Sequence, residues 1–533
     1  MSCPSGPAAP TPDRAPRGLR PCRAYLPVLA AALALYVVSM APGVLWQDSA
    51  LAQVRVVRRD LVGDLGLALS HPLYYVLAVA FQALPLGEPA FKTNLVSAVC
   101  GALTVANVFL LLRLLTGRGD AALLGALALA VAHTFWQHCA LAEVYTVSTA
   151  LLSGELLCLH RYAATGRPRW LLLLCGLNGL GVSNHLLATL SLACYGTLLL
   201  VLLIRKRLSW RIAPLLAASW LAGAALYLGL LVGQWAGGQP LPDVLHSALF
   251  GQAHYVAGVL NPFPSARQLA RSVLYLALNF PTPAALLAVA GLVRLARRRR
   301  DTFAWTFVGL LALHLYWAVR YDVPDQYTFF ILPVLLLALL MGLGAADLFG
   351  RRSAAWRRPA FILVLLPVAV YAALPAAARA ARLTLDLKRS VPYRDELSYF
   401  LRPWKTGYRG PERFARELAE RLPPHAVLFA DSTTANPLHY LRLTGRWRQD
   451  VTVFPAAEKP SDPLNIPTPV RQREAISAGC AFVVTPQLPY CPAWLLEGDY
   501  AFAPVGPVYQ VRLVAGSASA PASESAVDAA DQP

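Results

Sequence analysis

The chain has 533 residues, of which 56% are hydrophobic and only 14% charged, with a formal net charge of +18. Soluble domains run near a quarter charged, so this composition excludes an ordinary globular protein. Nor does the positive charge indicate nucleic-acid binding: most arginines fall in short clusters between apolar runs, as they do where basic loops stay on one side of a membrane.

Residues 1–24 are rich in Pro and Arg and are expected to form a disordered, cytoplasmic N-terminus. The apolar run that follows is long enough to remain as a span, so no cleavable signal peptide is expected. Apolar stretches of about 17 to 25 residues then recur to Leu374, each able to cross a bilayer as a helix. Spans are expected near 25–45, 94–115, 121–137, 143–160, 170–183, 186–204, 212–234, 272–293, 303–319, 328–349 and 360–378, about eleven in all. With the N-terminus inside, the basic clusters at 113–118, 161–169, 205–211, 294–300 and 351–358 all land in the cytoplasm. The apolar segment 71–86 is too short to cross, and crossing would put every later cluster on the wrong side. It is expected to lie on the membrane within a large first external loop, 46–93.

Residues 25–380 thus form the transmembrane domain, and at 381–515 the chain becomes charged and mixed. PERFARELAERLPP has helical spacing; HAVLFA, DVTVF and CAFVVT read as short strands, with a loop at DSTTANP and a helix from near Leu438. The fold class is therefore an α-helical polytopic membrane protein with a C-terminal extracytoplasmic α/β domain. Residues 516–533 read as a disordered tail. Five of the nine cysteines lie in or beside apolar runs; Cys480 and Cys491 can pair if their domain faces an oxidising compartment. No metal-ligand spacing of Cys and His is present.

Under this topology the polar residues of six distant segments gather on one face. Asp48 follows the first span, and Ser70-His71-Pro72 lies in the same loop. His133, Trp136, Gln137 and His138 end the third span and Glu143 opens the fourth. Asn184 and His185 join the fifth and sixth, and Arg320, Asp322 and Asp325 lie between the ninth and tenth. Ionisable groups at membrane depth mark functional sites by default. Each has a plainer reading: Asp48 a solvated span end, Glu143 an acid complementing a helix dipole, His71 a turn former, His185 an interhelical hydrogen-bonder. Arg320 with its flanking aspartates reads as an interfacial ion pair, and Trp136, Trp317 and Tyr327 as an aromatic belt.

WQDSALAQ, followed by SHPLYYVLAVAFQALPLGEPAFKTNLVSAVCGAL, resembles the first loop of the DUF2723 family of membrane proteins. There an aspartate in a GDSGE-like motif precedes AHPPGYPLY and a PLG-x-x-A-F-x-x-N-L segment. TFWQHCALAEVYT, GLGVSNHLLATL, RYDVPDQYTFFILP and LFADSTTANPLHYLRLTGRWRQDVTVF resemble later elements of the family, in the same order over residues 25–455. The family is similar to GT-C glycosyltransferases and includes a protein O-mannosyltransferase. The resemblance implies a GT-C-like fold and carries the loop acid onto Asp48, the loop histidine onto His71, the glutamate onto Glu143 and the Asn-His pair onto Asn184 and His185. Two departures stand out: GDSGE is QDSAL here, with Leu51 in place of the second acid, and HPPGYP is HPLYYV.

The implied activity is transfer of a sugar, mannose being one candidate, from a polyprenyl-phosphate carrier to an extracytoplasmic acceptor such as protein Ser/Thr hydroxyls or a glycan. Asp48 is the candidate base, with Glu143 in the catalytic group. His71, Asn184, His185, Arg320, Asp322 and Asp325 are candidates for binding donor phosphate or acceptor. No cofactor is specified, and a divalent cation is left open. The expected partners are the lipid donor, the acceptor and membrane lipid. The Ala-, Leu- and Arg-rich composition points to a bacterial inner membrane, with undecaprenyl phosphate as carrier. The alternatives are an inactive scaffold, an anchor whose external domain binds peptide or glycan, and a lipid-linked-sugar transporter or flippase. A transporter predicts polar groups at the midplane and an internal repeat. Neither is evident.

Overall fold

A computed structural model describes residues 23–252, 256–297, 301–351, 354–383, 390–455 and 469–514. The expected disordered tail and nearly all of the expected disordered N-terminus lie outside these residues. The described chain is mostly helical. After α1 (Tyr25–Ser39) come two short helices, α2 (Gln47–Arg58) and α3 (Pro72–Phe81), and then the long α4 (Pro89–Thr116). Pro89 starts α4 without sacrificing a needed N–H, and Gly117, in the left-handed region, ends it. α4 is the hub of the bundle. It packs on α1, on α5 (Gly119–Ala130) and on α7 (Tyr145–Thr165), with α6 (His133–Cys139) between the last two. α8 (Arg169–Asn184), α9 (Ala188–Ile204) and α10 (Ala213–Ala236) follow. The short α11 (Leu241–Phe250) and α12 (Val256–Leu260) lead to α13 (Ala266–Asn279), α14 (Leu286–Ala296), α15 (Thr302–Arg320), α16 (Ile331–Arg351) and α17 (Arg357–Ala380).

Among the described residues, five helices are long and apolar enough to cross a membrane, or seven if two bent pairs each count as one span. This is a multi-pass integral membrane protein. α16 is almost wholly enclosed, whereas α10 presents most of its apolar surface outward. α8 and α10 approach until their backbones touch: a Cβ on Gly179 would collide with the Trp220 carbonyl, and one on Gly223 with that of Gly176. Small residues permit this contact in lipid, where helices gain little from hiding apolar surface.

Two expected straight spans are broken. The 121–137 stretch is α5 and α6, bent by 69° at Val131–Ala132, and 272–293 spans the break between α13 and α14, bent by 102°. Pro281 and Pro283 supply the second break, since neither can donate to the helix ladder. The breaks satisfy one another. The Thr134 N–H donates to Asn279 Oδ1 at 2.9 Å, and Asn279 Nδ2 donates to Thr134 Oγ1 at 2.9 Å. Freed backbone groups at membrane depth need such internal partners. α3, ten residues long, is too short to cross and packs on α4 and α8.

The C-terminal part contains α18 (Glu396–Leu401), α19 (Gly410–Arg421), β1 (Val427–Ala430), α20 (Ser432–Leu443), β2 (Thr452–Pro455), α21 (Pro469–Ser477), β3 (Ala481–Val483), α22 (Ala493–Glu497), β4 (Tyr500–Val505) and β5 (Val508–Leu513). Its sheet has the order β2-β1-β3-β5-β4, with the first three strands parallel and β5 antiparallel to both neighbours. Two expectations are corrected here. The helix placed from Leu438 starts at Ser432, because the Asp431 side chain caps it by accepting from the Thr433 N–H at 3.2 Å and Pro437 is accommodated inside. Cys480 and Cys491 do not pair; Cys491 is buried beneath the sheet with Leu495.

The C-terminal part is not a separate body. Trp46, Ala50 and Val54 of the first loop share one apolar core with Phe414, Leu418, Leu438 and Leu441. Burial of Trp46 and Val54 alone stabilises this junction by about 1.5–3 kcal/mol each.

Candidate active site

The chain entering α2 is fixed by buried side-chain amides. Asn94 Nδ2 donates to the Ala41 and Gly43 carbonyls at 2.9 and 3.1 Å. Gln53 accepts from the Leu45 N–H at 3.1 Å and donates to Asn94 Oδ1 at 2.9 Å. This network delivers Asp48 to the first turn of α2, exposed, where the helix N-terminus favours a carboxylate. One residue on, Ser49 is buried and its hydroxyl donates to Glu143 Oε1 at 3.1 Å. Glu143 precedes α7 and is held by α4: its N–H donates to Ser97 Oγ, which donates to its carbonyl, both at 3.0 Å. Loss of water around Glu143, and then the charge of Asp48, push its carboxyl up to about 8; the Ser49 bond opposes this and Asp325 adds to it. At neutral pH Glu143 is mainly protonated.

His71 takes a left-handed backbone, φ 50°, at the head of α3. Its Nδ1–H donates to the Asn184 carbonyl at 2.8 Å, and its ring stacks on His185 at 4.8 Å between centroids. His185 has the opposite tautomer, because its Nδ1 accepts from the Leu187 N–H at 3.1 Å. Nε2 is thus bare on His71 and protonated on His185 while both rings are neutral. Burial lowers both: His71 to about 4, with the Asn184 bond opposing and Arg55 adding, and His185 well below its usual range. Asn184 Nδ2 ties the pair to the start of α7, donating to the Val144 carbonyl at 3.0 Å and to Ser148 Oγ at 2.9 Å. Tyr145 lies between His185 and His138, at 5.2 and 5.4 Å.

The segment between α15 and α16 divides. Asp325 faces the site; burial raises its carboxyl, and its charge acts on Glu143 and Tyr145. Arg320 and Asp322 are not part of it. Arg320 Nη1 donates to the Val259 and Asn261 carbonyls at 2.7 and 2.6 Å and stands over Trp317, while Asp322 pairs with Arg271 at 2.8 Å. The expected Arg320–aspartate pair is replaced by these bonds because the guanidinium fork turns toward backbone carbonyls. The aromatic-belt reading also changes: Trp136 is buried, donates to Ser39 Oγ at 2.8 Å and packs on Trp404, and Tyr327 packs on Phe400.

Sequence reasoning missed Ser49, Ser97 and above all Lys405. Lys405 is 4% exposed, its ammonium donates to the Arg402 carbonyl at 2.7 Å, and it stands 4.8 Å over the Tyr399 ring. Burial lowers it to about 7. It lies near His133 and His138. The only sequence signal was the aromatic run YFLRPWKTGY at 399–408. Among the described residues no group of three or more His, Cys, Asp or Glu side chains is arranged to hold a metal ion.

The site gathers carboxyls, imidazoles and a buried lysine in a helical membrane bundle whose fold is similar to that of a solved structure. ArnT from Cupriavidus metallidurans, solved with undecaprenyl phosphate bound, superposes with a TM-score of 0.57 at 16% identity, over 91% of this chain and 97% of that one. The apo oligosaccharyltransferase of Archaeoglobus fulgidus is more distant, with a TM-score of 0.41 at 14% identity over 80% and 64%. Residues 69–210 match the family model of the protein O-mannosyl-transferase TMEM260 N-terminal domain, a stretch that contains His71, Glu143, Asn184 and His185 but not Asp48. No curated protein matches the chain.

Proposed function

We propose that this protein transfers a sugar from a polyprenyl-phosphate carrier to a hydroxyl acceptor, protein or glycan, on the outer side of the membrane, with mannose one candidate sugar. The observation that carries this reading is the convergence of Asp48, Glu143, Asp325, His71 and His185 around Tyr145, in a fold shared with ArnT, which was solved with undecaprenyl phosphate bound. The topology that accompanies it has eleven spans, a cytoplasmic N-terminus and the C-terminal domain outside, the arrangement that keeps the basic clusters together.

Asp48 acts as the base. Glu143, pushed up to about 8, holds a proton at neutral pH and leaves the role of base to Asp48. Asp48 takes the proton of the acceptor hydroxyl, whose oxygen attacks the anomeric carbon as the polyprenyl phosphate leaves from the opposite face, inverting that centre. The leaving phosphate gains charge and is met by donors: His185 Nε2–H and the Lys405 ammonium replace Arg320, whose guanidinium is committed elsewhere. Glu143 supplies a second carboxyl beside Asp48 where Leu51 does not.

The reading is tested by incubating membranes containing wild type or Asp48→Asn with radiolabelled polyprenyl-phosphate mannose and glucose. Wild type transfers label to an acceptor and Asp48→Asn, expressed equally, transfers none. Undiminished transfer by Asp48→Asn would remove it from the chemistry.

A further inference from the structure

Gln47, directly before Asp48, has φ 57°, in the left-handed region. Glycine and asparagine take that region readily; glutamine has no local reason to. The turn has partners outside the loop. The C-terminal domain grips it on both sides: Asn436 Nδ2, from α20, donates to the Gln47 carbonyl at 3.3 Å, and Trp46 Nε1 donates to Tyr408 Oη at 2.5 Å. The Trp46 ring also packs on Phe414 of α19, 5.8 Å between centroids. Strain at one peptide persists only where surrounding structure over-determines it, and such strain collects at functional sites.

We propose that the C-terminal domain is a positioning device for Asp48: Asn436 and Tyr408 hold Gln47 in its left-handed turn and so aim the carboxylate at the acceptor hydroxyl. This rests on Asp48 being the base. It gives the domain a role in turnover that needs no acceptor bound to it.

The experiment uses the purified full-length chain with polyprenyl-phosphate mannose and polyprenyl-phosphate glucose as donors. Loss of one hydrogen bond predicts that Asn436→Ala lowers kcat by about three- to tenfold, with the donor KM unchanged. Gln47→Val, which cannot take the turn, lowers kcat from the other side of the same bond. Adding Gln47→Gly to Asn436→Ala restores most of the loss, because glycine makes the turn unaided. Independently of activity, amide hydrogen exchange of the peptide covering 43–56 quickens in Asn436→Ala. Unchanged kcat in Asn436→Ala, no recovery in the double variant, or unchanged exchange would each overturn the proposal. Asp48→Asn separates the two ideas. If it is inactive while Asn436→Ala matches wild type, only the positioning role fails; if it is active, the underlying reading fails.

Discussion

Glu143 feels the charges of Asp48 and Asp325, and its burial beside them has a consequence for stability that can be read without a substrate. Glu143 is pushed up to about 8 from an ordinary carboxyl value of about 4.5. Between those values the folded chain holds a proton that the unfolded chain has released, so stability falls as pH rises through this window. Glu143→Gln removes that penalty. The variant should melt higher than wild type in detergent at pH 9, with the advantage vanishing near pH 4.5; an equal shift at both would mean simple packing. Lys405 bears a different prediction. If it meets the donor phosphate, Lys405→Met forfeits a charged hydrogen bond and raises the donor KM about ten- to a hundredfold. An unchanged KM would leave it as a clamp on the Arg402 carbonyl. Residue types at Asp48, His71, Glu143 and His185 were readable from spacing and resemblance. Lys405 was not, because a lone lysine in a polar stretch looks solvated until its burial is seen.

α2 shows what an element can hide. Its sequence, QDSALAQVRVVR, falls in the expected first external loop, yet it is a helix with its two faces in two cores. Trp46, just before the helix, with Ala50 and Val54, faces the C-terminal domain, while Ser49 and Gln53 face Glu143 and Asn94. Periodicity over twelve residues cannot reveal two partners that lie far away in sequence. The bends tell a similar story. Pro281 and Pro283 were visible, but an apolar run that continued past them read as one span; the break at Ala132 has no proline, and its partner, Asn279, is 145 residues from Thr134. That pairing is testable. Asn279→Ala strands the Thr134 N–H and should cost about 1–3 kcal/mol, seen as a lower melting temperature in detergent. No change in melting would mean that the break is held by the α5–α16 packing instead.

Over the whole molecule, the membrane class and the α/β character of the C-terminal part followed from hydropathy and short strand patterns, because those depend on local chemistry. The docking of that part onto the first loop did not. The bond between Ala90 N–H and Tyr440 Oη, 2.9 Å across 350 residues, and the ion pair of Arg446 with Glu88 leave no local mark. They nonetheless make the junction of bundle and domain the place where the candidate base is held, and so tie fold to reaction. The most direct test of the account is a single-turnover measurement with the purified protein in lipid nanodiscs, following release of polyprenyl phosphate from radiolabelled polyprenyl-phosphate mannose or glucose in the presence of hydroxyl acceptors. The account predicts release by wild type, matched by label on the acceptor, and none by Asp48→Asn. Release that proceeds equally without Asp48, or no release by wild type from either donor, would contradict it.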